Sequence, residues 1–201
     1  MSLRADRAAL VALAEDAKSC TRCPLYRNAT QTVFGEGAAN HPIMMVGEQP
    51  GDQEDLAGHP FVGPAGKMLD RAFAEAGVER TATYLTNVVK HFKNEPRGKK
   101  RLHRRPDQDE IDICRWWLDR EIALVQPKLI VALGVTAAEA LTRKRVVISR
   151  LRGSAIELPS GHRGLVTTHP SAILRVPDSA GRHAAFKALV KDLKTALKLA
   201  A

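Results

Sequence analysis

Four short apolar runs, at residues 41–51 (HPIMMVGEQPG), 83–90 (TYLTNVVK), 128–134 (KLIVALG) and 164–170 (GLVTTHP), constrain this chain more than any other feature. The first is broken off by Gly and Pro, the profile of a buried strand that delivers a loop at its C-terminal end. The other three read as strands as well. Between and after them the apolar period changes to that of helices, at residues 66–78, 106–125 and 135–144, and in a last segment with Phe186, Leu189, Val190, Leu193 and Leu197 on one face. Strands that alternate with helices imply parallel βαβ units, so the predicted fold class is α/β, a three-layer α/β/α domain. A chain of 201 residues with 44% apolar composition suits one such domain over residues 1–201.

In folds of this kind ligands bind outside the carboxyl ends of the strands. GEQPGD, the segment from Asn87 to His91 and THPSAILR each follow a strand, and the basic stretch continues from the second, so all four are expected in one cleft. Residues 52–66 read as a long loop, which in a compact domain is usually functional. Ahead of them, Leu10, Leu13, Ala14 and Ala17 recur at helical spacing, a helix that covers the core and stops near two cysteines.

The formal net charge is +9, an excess that marks a polyanionic partner, nucleic acid or an anionic membrane surface. No apolar run approaches the roughly 18 residues of a membrane span. The N-terminus is charged at Arg4, Asp6 and Arg7, so a cytoplasmic protein is expected. Three cysteines, an odd number in a reducing compartment, point to thiols with a task other than disulfides.

Cys20 and Cys23 form a C-x2-C pair that can reach one metal or cluster. Cys114 lies on the apolar face of the central helix with Ile111, Leu118 and Ile122, where an ordinary buried thiol is an equal alternative. His91 is the nearby candidate for a fourth ligand, and such a set suits zinc and iron–sulfur alike. Glu48 comes directly after a buried strand, where chemistry is placed, whereas Glu54 and Asp55 read as a solvated acidic turn. Asn87 is an amide in an apolar, β-branched strand; it can read a base edge or bond nearby backbone. His169, held before Pro170 at a strand end, has a structural alternative too. The Lys187, Lys191, Lys194 and Lys198 stripe is a solvated face. Arg97, Lys99, Lys100, Arg101, Arg104 and Arg105 surround His103, and a poor carrier of charge among so many good ones needs another purpose.

Taken together, GEQPGDQEDLAGHPFVGPAGKMLDRAF, TYLTNVVKHFK, the C-x2-C pair, ICRWWL and THPSAILR resemble the family 4 uracil-DNA glycosylases from about Cys20 to Arg175. Three further features are similar to its UdgX subgroup. Gln49 stands in GEQPG where the broader family has Ala, the basic loop ends KRLH like the subgroup's K-R-R-I-H loop, and His91 stands where most of the family has Cys. Lys100 for Arg and Leu102 for Ile depart from that loop without changing its character.

The resemblance implies a four-stranded parallel sheet and a [4Fe-4S] cluster, with Cys20, Cys23, His91 and Cys114 at the ligand positions. It implies a uracil pocket in which Phe61 stacks on the base and Asn87 bonds its Watson–Crick edge. The backbone from Gly47 to Gln49 would meet the carbonyls, His169 would lie near O2, and Asp52 falls in the same loop. His103 matches the histidine that attacks the sugar and stays attached, with Glu48 as the carboxylate near the sugar. Lys99, Lys100, Arg101, Arg104, Arg105, Ser171 and Arg175 form the expected DNA-contacting set, whose like charges would disfavour an imidazolium at His103. The implied protein is a monomer that excises uracil from single-stranded DNA and captures it covalently. The alternatives are a conventional turnover glycosylase and a non-enzymatic, metal-containing nucleic-acid-binding module.

Overall fold

The four apolar runs become strands, each of which divides its side chains between two cores. The computed structural model describes residues 3–201. In chain order the elements are α1 (Leu3–Lys18), β1 (Ile43–Gly47), α2 (Asp52–Ala57), α3 (Pro64–Ala76), β2 (Thr83–Asn87), β3 (Asn94–Arg97), β4 (Lys100–His103), α4 (Gln108–Val125), β5 (Leu129–Leu133), α5 (Val135–Thr142), α6 (Ile148–Leu151), β6 (Ala155–Glu157), β7 (Arg163–Thr167), α7 (Pro170–Leu174) and α8 (Ser179–Ala200). The main sheet runs β2-β1-β5-β7-β6, with the first four strands parallel and β6 antiparallel on the edge. The class is the expected α/β, with one short strand beyond the four parallel ones.

Alternation along the strands feeds two cores. Met44, Val46, Tyr84, Ile130, Ala132 and Val166 pack with α1, α4 and α5. Ile43, Met45, Leu85, Leu129, Val131, Leu133 and Leu165 pack with α3 and α8. Each parallel strand is therefore apolar on both sides and reads as an unbroken run. No helix among the described residues is long and apolar enough to cross a membrane.

Two expectations are corrected here. The basic stretch is not a loop but the hairpin β3–β4, closed by Gly98 and Lys99 with Gly98 at φ +59°, a left-handed conformation that suits a two-residue turn. The segment 52–66 contains α2 and the start of α3, and Glu54 and Asp55 are not solvated. Glu54 is buried and accepts from the N–H of Gly51 and of Gly63 at 3.1 and 2.8 Å, stitching the segment together. Asp55, fully buried, accepts from Thr30 N and from Arg101 of the hairpin.

The second strand ends on a further buried ion pair. Lys90 and Glu121 are both 0% exposed, and the ammonium donates to Glu121, to Thr86 Oγ1 at 2.7 Å and to the carbonyl of Asn87 at 2.6 Å. Glu121 also accepts from Tyr84, Thr86 and the N–H of Gly35, so its lone pairs are satisfied. A charge pair with every group bonded is tolerated inside a protein, and it fixes the strand end that carries Asn87.

Candidate active site

Strands β1 and β5 are neighbours whose connections leave toward opposite sides of the sheet, and the crevice at their carboxyl ends is where such folds place ligands. Glu48 follows β1 and Thr136 follows β5. Thr136 Oγ1 donates to Glu48 Oε2 at 2.5 Å. The other carboxylate oxygen, Oε1, faces His103 Nε2 across 3.8 Å. That is too long for a hydrogen bond.

His103 ends β4 with its side chain 53% exposed. Its state follows from Gln49. The N–H of Lys93 donates to Gln49 Oε1 at 2.8 Å, which fixes the orientation of the amide. Gln49 Nε2 therefore supplies the protons, one to the Arg104 carbonyl at 2.7 Å and one to His103 Nε2 at 2.8 Å. His103 Nε2 accepts, so the ring is neutral with its proton on Nδ1.

The base-binding candidates gather on the other side of Gly47. Phe61 is buried at φ +57° and lies beside His169 with ring centroids 6.4 Å apart. A methyl group on Gly47 would come within 2.3 Å of Asn87 Oδ1 and 2.8 Å of Phe61, so only glycine lets the two side chains converge. His169 Nδ1 accepts from the N–H of Ser171 at 3.2 Å, which leaves Nε2–H as a free donor. Burial, aided by the charge of Arg175, holds the His169 pKa down to about 4, so that donor persists through neutral pH.

The remaining candidates divide. Lys99 and Lys100 stand exposed at the hairpin tip. Arg101 is engaged within the protein, by Asp52 at 2.7 Å and by Asp55 at 2.5 Å. Asp52 is correspondingly a tether for the hairpin. Arg104 pairs with Glu95. Arg105 Nε donates to Thr136 Oγ1 at 3.2 Å. Ser171 Oγ lies 2.8 Å from His169 Nδ1, and Arg175 reaches that hydroxyl. Thr136 is the residue that sequence analysis missed. Its signal was its place, just past the carboxyl end of the one parallel strand whose loop was not counted in the cleft.

Cys20, Cys23, Cys114 and His91 are all buried beneath this site, and the thiols are free. Among the described residues no three His, Cys, Asp or Glu side chains gather closely enough to chelate a single ion. Ligands of a four-iron cluster bind different irons and need not converge on one point. His91 has the form of a ligand. Thr32 Oγ1 gives its proton to the Ala17 carbonyl at 2.7 Å, so it accepts from His91 Nε2–H at 3.1 Å. His91 Nδ1 is left buried with a lone pair and no partner. Burial pushes the Cys114 thiol up to about 12 and raises Cys23 also, an environment in which a thiolate forms only with a cation to hold it.

The chain belongs to the uracil DNA glycosylase superfamily, whose family model matches residues 34–194. Several of its relatives are type-4 uracil-DNA glycosylases. The chain is 39% identical over 164 residues to the type-4 uracil-DNA glycosylase of Thermotoga maritima, covering 81% of this chain and 82% of that protein. It is 36% identical over 194 residues to the type-4 uracil-DNA glycosylase of Sulfurisphaera tokodaii, covering 92% and 82%.

Proposed function

We propose that this protein excises uracil from DNA and then joins itself to the abasic sugar through His103, as in the UdgX subgroup. The observation that carries the reading is the facing pair of Glu48 Oε1 and His103 Nε2, 3.8 Å apart with no proton between them. Two lone-pair atoms held in that way suit an electron-poor centre, and C1′ of a deoxyribose losing its base is one.

Breaking the bond between C1′ and uracil N1 sends the electron pair out with the base and leaves cationic character on the sugar. The Asn87 amide and the His169 Nε2–H would bond the departing uracilate, and Glu48 would face the cation. Phe61 would hold the flipped base by stacking. The Nε2 lone pair of His103 then forms the bond to C1′, after the Gln49 N–H that occupies it in the free protein has swung away. The ring loses its Nδ1 proton to water, uracilate gains one, and a neutral N-alkyl imidazole remains. It has no good leaving group. A held nucleophile outcompetes water through its effective concentration.

The test is a denaturing gel of the protein with a uracil-containing single-stranded oligonucleotide. A band that survives SDS, absent with thymine or cytosine in place of uracil, is expected. Stoichiometric excess of free abasic DNA without that band would instead establish a conventional turnover glycosylase, and no reaction would leave a nucleic-acid-binding module. We infer a single-stranded substrate because an unpaired base is flipped at the lowest cost. We further infer that the protein acts as a monomer in the cytoplasm, where free thiols persist.

We also infer a [4Fe-4S] cluster held by Cys20, Cys23, Cys114 and His91 Nδ1, a set supported by the orphaned imidazole nitrogen. When bound it supplies a structural cross-link among the segment after α1, the end of β2 and α4. The purified protein is expected to be brown with broad visible absorbance, and Cys23→Ala to lose folding before chemistry. Colourless active protein with stoichiometric zinc would overturn the assignment.

A further inference from the structure

We propose that Thr136 is the positioning residue for Glu48, the side chain that turns one carboxylate oxygen toward the sugar by engaging the other. This deepens the reading above and rests on the role given there to Glu48. Thr136 is 2% exposed at the start of α5, and its hydroxyl is engaged on both sides. Arg105 Nε donates into Oγ1 at 3.2 Å, and Oγ1 donates to Glu48 Oε2 at 2.5 Å. A hydroxyl has one proton. The arginine can only donate and the carboxylate can only accept, so that proton goes to Glu48.

The consequence is asymmetry within one carboxylate. Oε2 is committed to Thr136, and Arg105 adds its charge on the same side, with Nε 3.9 Å away. Oε1 is the oxygen left facing His103 Nε2. The side chain of Glu48 is partly exposed and follows the strand in a loop, so without this anchor it would rotate into solvent, where the carboxylate is best hydrated. Thr136 is fixed where Glu48 is not, since it is nearly buried in the first turn of a helix packed on the sheet. Preorganisation of this sort lets a carboxylate oppose developing positive charge without first being reoriented.

The experiment compares single-turnover uracil release by the full-length wild-type protein with that by Thr136→Val and Thr136→Ser. Each is made with Glu48 intact and with Glu48→Gln. Thr136→Val, which keeps the shape and removes the hydroxyl, is expected to slow the rate at saturating protein about 10- to 100-fold, the range for a lost hydrogen bond to a charged group. The half-saturating protein concentration should change less than about twofold, because the substrate does not touch this side chain, and Thr136→Ser should restore most of the rate. In the Glu48→Gln background the valine substitution should cost little, since its effect runs through the carboxylate. Thr136→Ala serves in the same cycle if the valine protein does not fold. An undiminished rate, or an equal loss in both backgrounds, would overturn the positioning role while the functional reading stands. A wild-type protein that leaves uracil DNA intact would overturn both.

Discussion

Replacing His103 by alanine is expected to abolish the SDS-resistant adduct and to convert the protein into a glycosylase that releases more than one uracil per molecule. The proposed pocket for the base does not include this side chain. Phe61, Asn87 and His169 are held by β2, α7 and the turn before α3, and Glu48 keeps its bond to Thr136. The space left between Gln49 and Glu48 opens to solvent, because His103 is more exposed than buried. Water enters there, and C1′ is captured by a nucleophile that leaves no bond to the protein. Unfolding stability should stay within about 0.5 kcal/mol of wild type, the usual range for a surface substitution. Persistence of the covalent product in this variant would move the nucleophile elsewhere and end the proposal.

The second large effect is expected from Glu48→Gln, which keeps the size and the hydrogen bond from Thr136 but removes the negative charge. The rate of uracil release should fall about 10²- to 10³-fold, comparable to the loss of one preorganised electrostatic contact to a transition state. Affinity for uracil DNA should change little or rise, since a carboxylate near phosphates opposes binding. The same factor should appear with His103 present or replaced by alanine, because the carboxylate acts before the sugar is captured. A single-turnover assay on the four combinations measures this. Loss confined to the His103-containing protein would show that Glu48 serves the imidazole instead of the sugar.

The two-sided burial of β1, β2, β5 and β7 made those strands legible, since each stands in the sequence as a continuous apolar run. The strands β3, β4 and β6 carry no such signal. Asn94–Arg97 includes a proline and Lys100–His103 is half charged, and the pair forms a sheet of its own apart from the main one. The positions of Glu48, Asn87 and His169 at strand ends could be read, because strand ends are where this class of fold puts its ligands. What those residues bond could not be read. Asp55, Lys90 and Glu121 look like surface charges in sequence and are buried, because each has a charged partner on a segment distant in the chain. The pairing of Gln49 with His103 and of Thr136 with Glu48 is hidden for the same reason: 54 and 88 residues separate the partners.

The hairpin β3–β4 shares no strand pairing with the main sheet. Its attachments run through side chains: Arg101 to Asp52, Asp55 and Thr30, Asn94 to the Asn28 carbonyl, Gln49 to His103 and to the Arg104 carbonyl, and Lys93 at its base to Glu110. On the proposed reading, the part of the molecule that selects the base and the part that determines the fate of the sugar are therefore separate modules, joined by side chains. A scaffold of this family could exchange release for capture by acquiring one short insertion together with a glutamine in the first loop and acids on α2 to dock it. Such a graft would change the product without any alteration to the residues that recognise uracil.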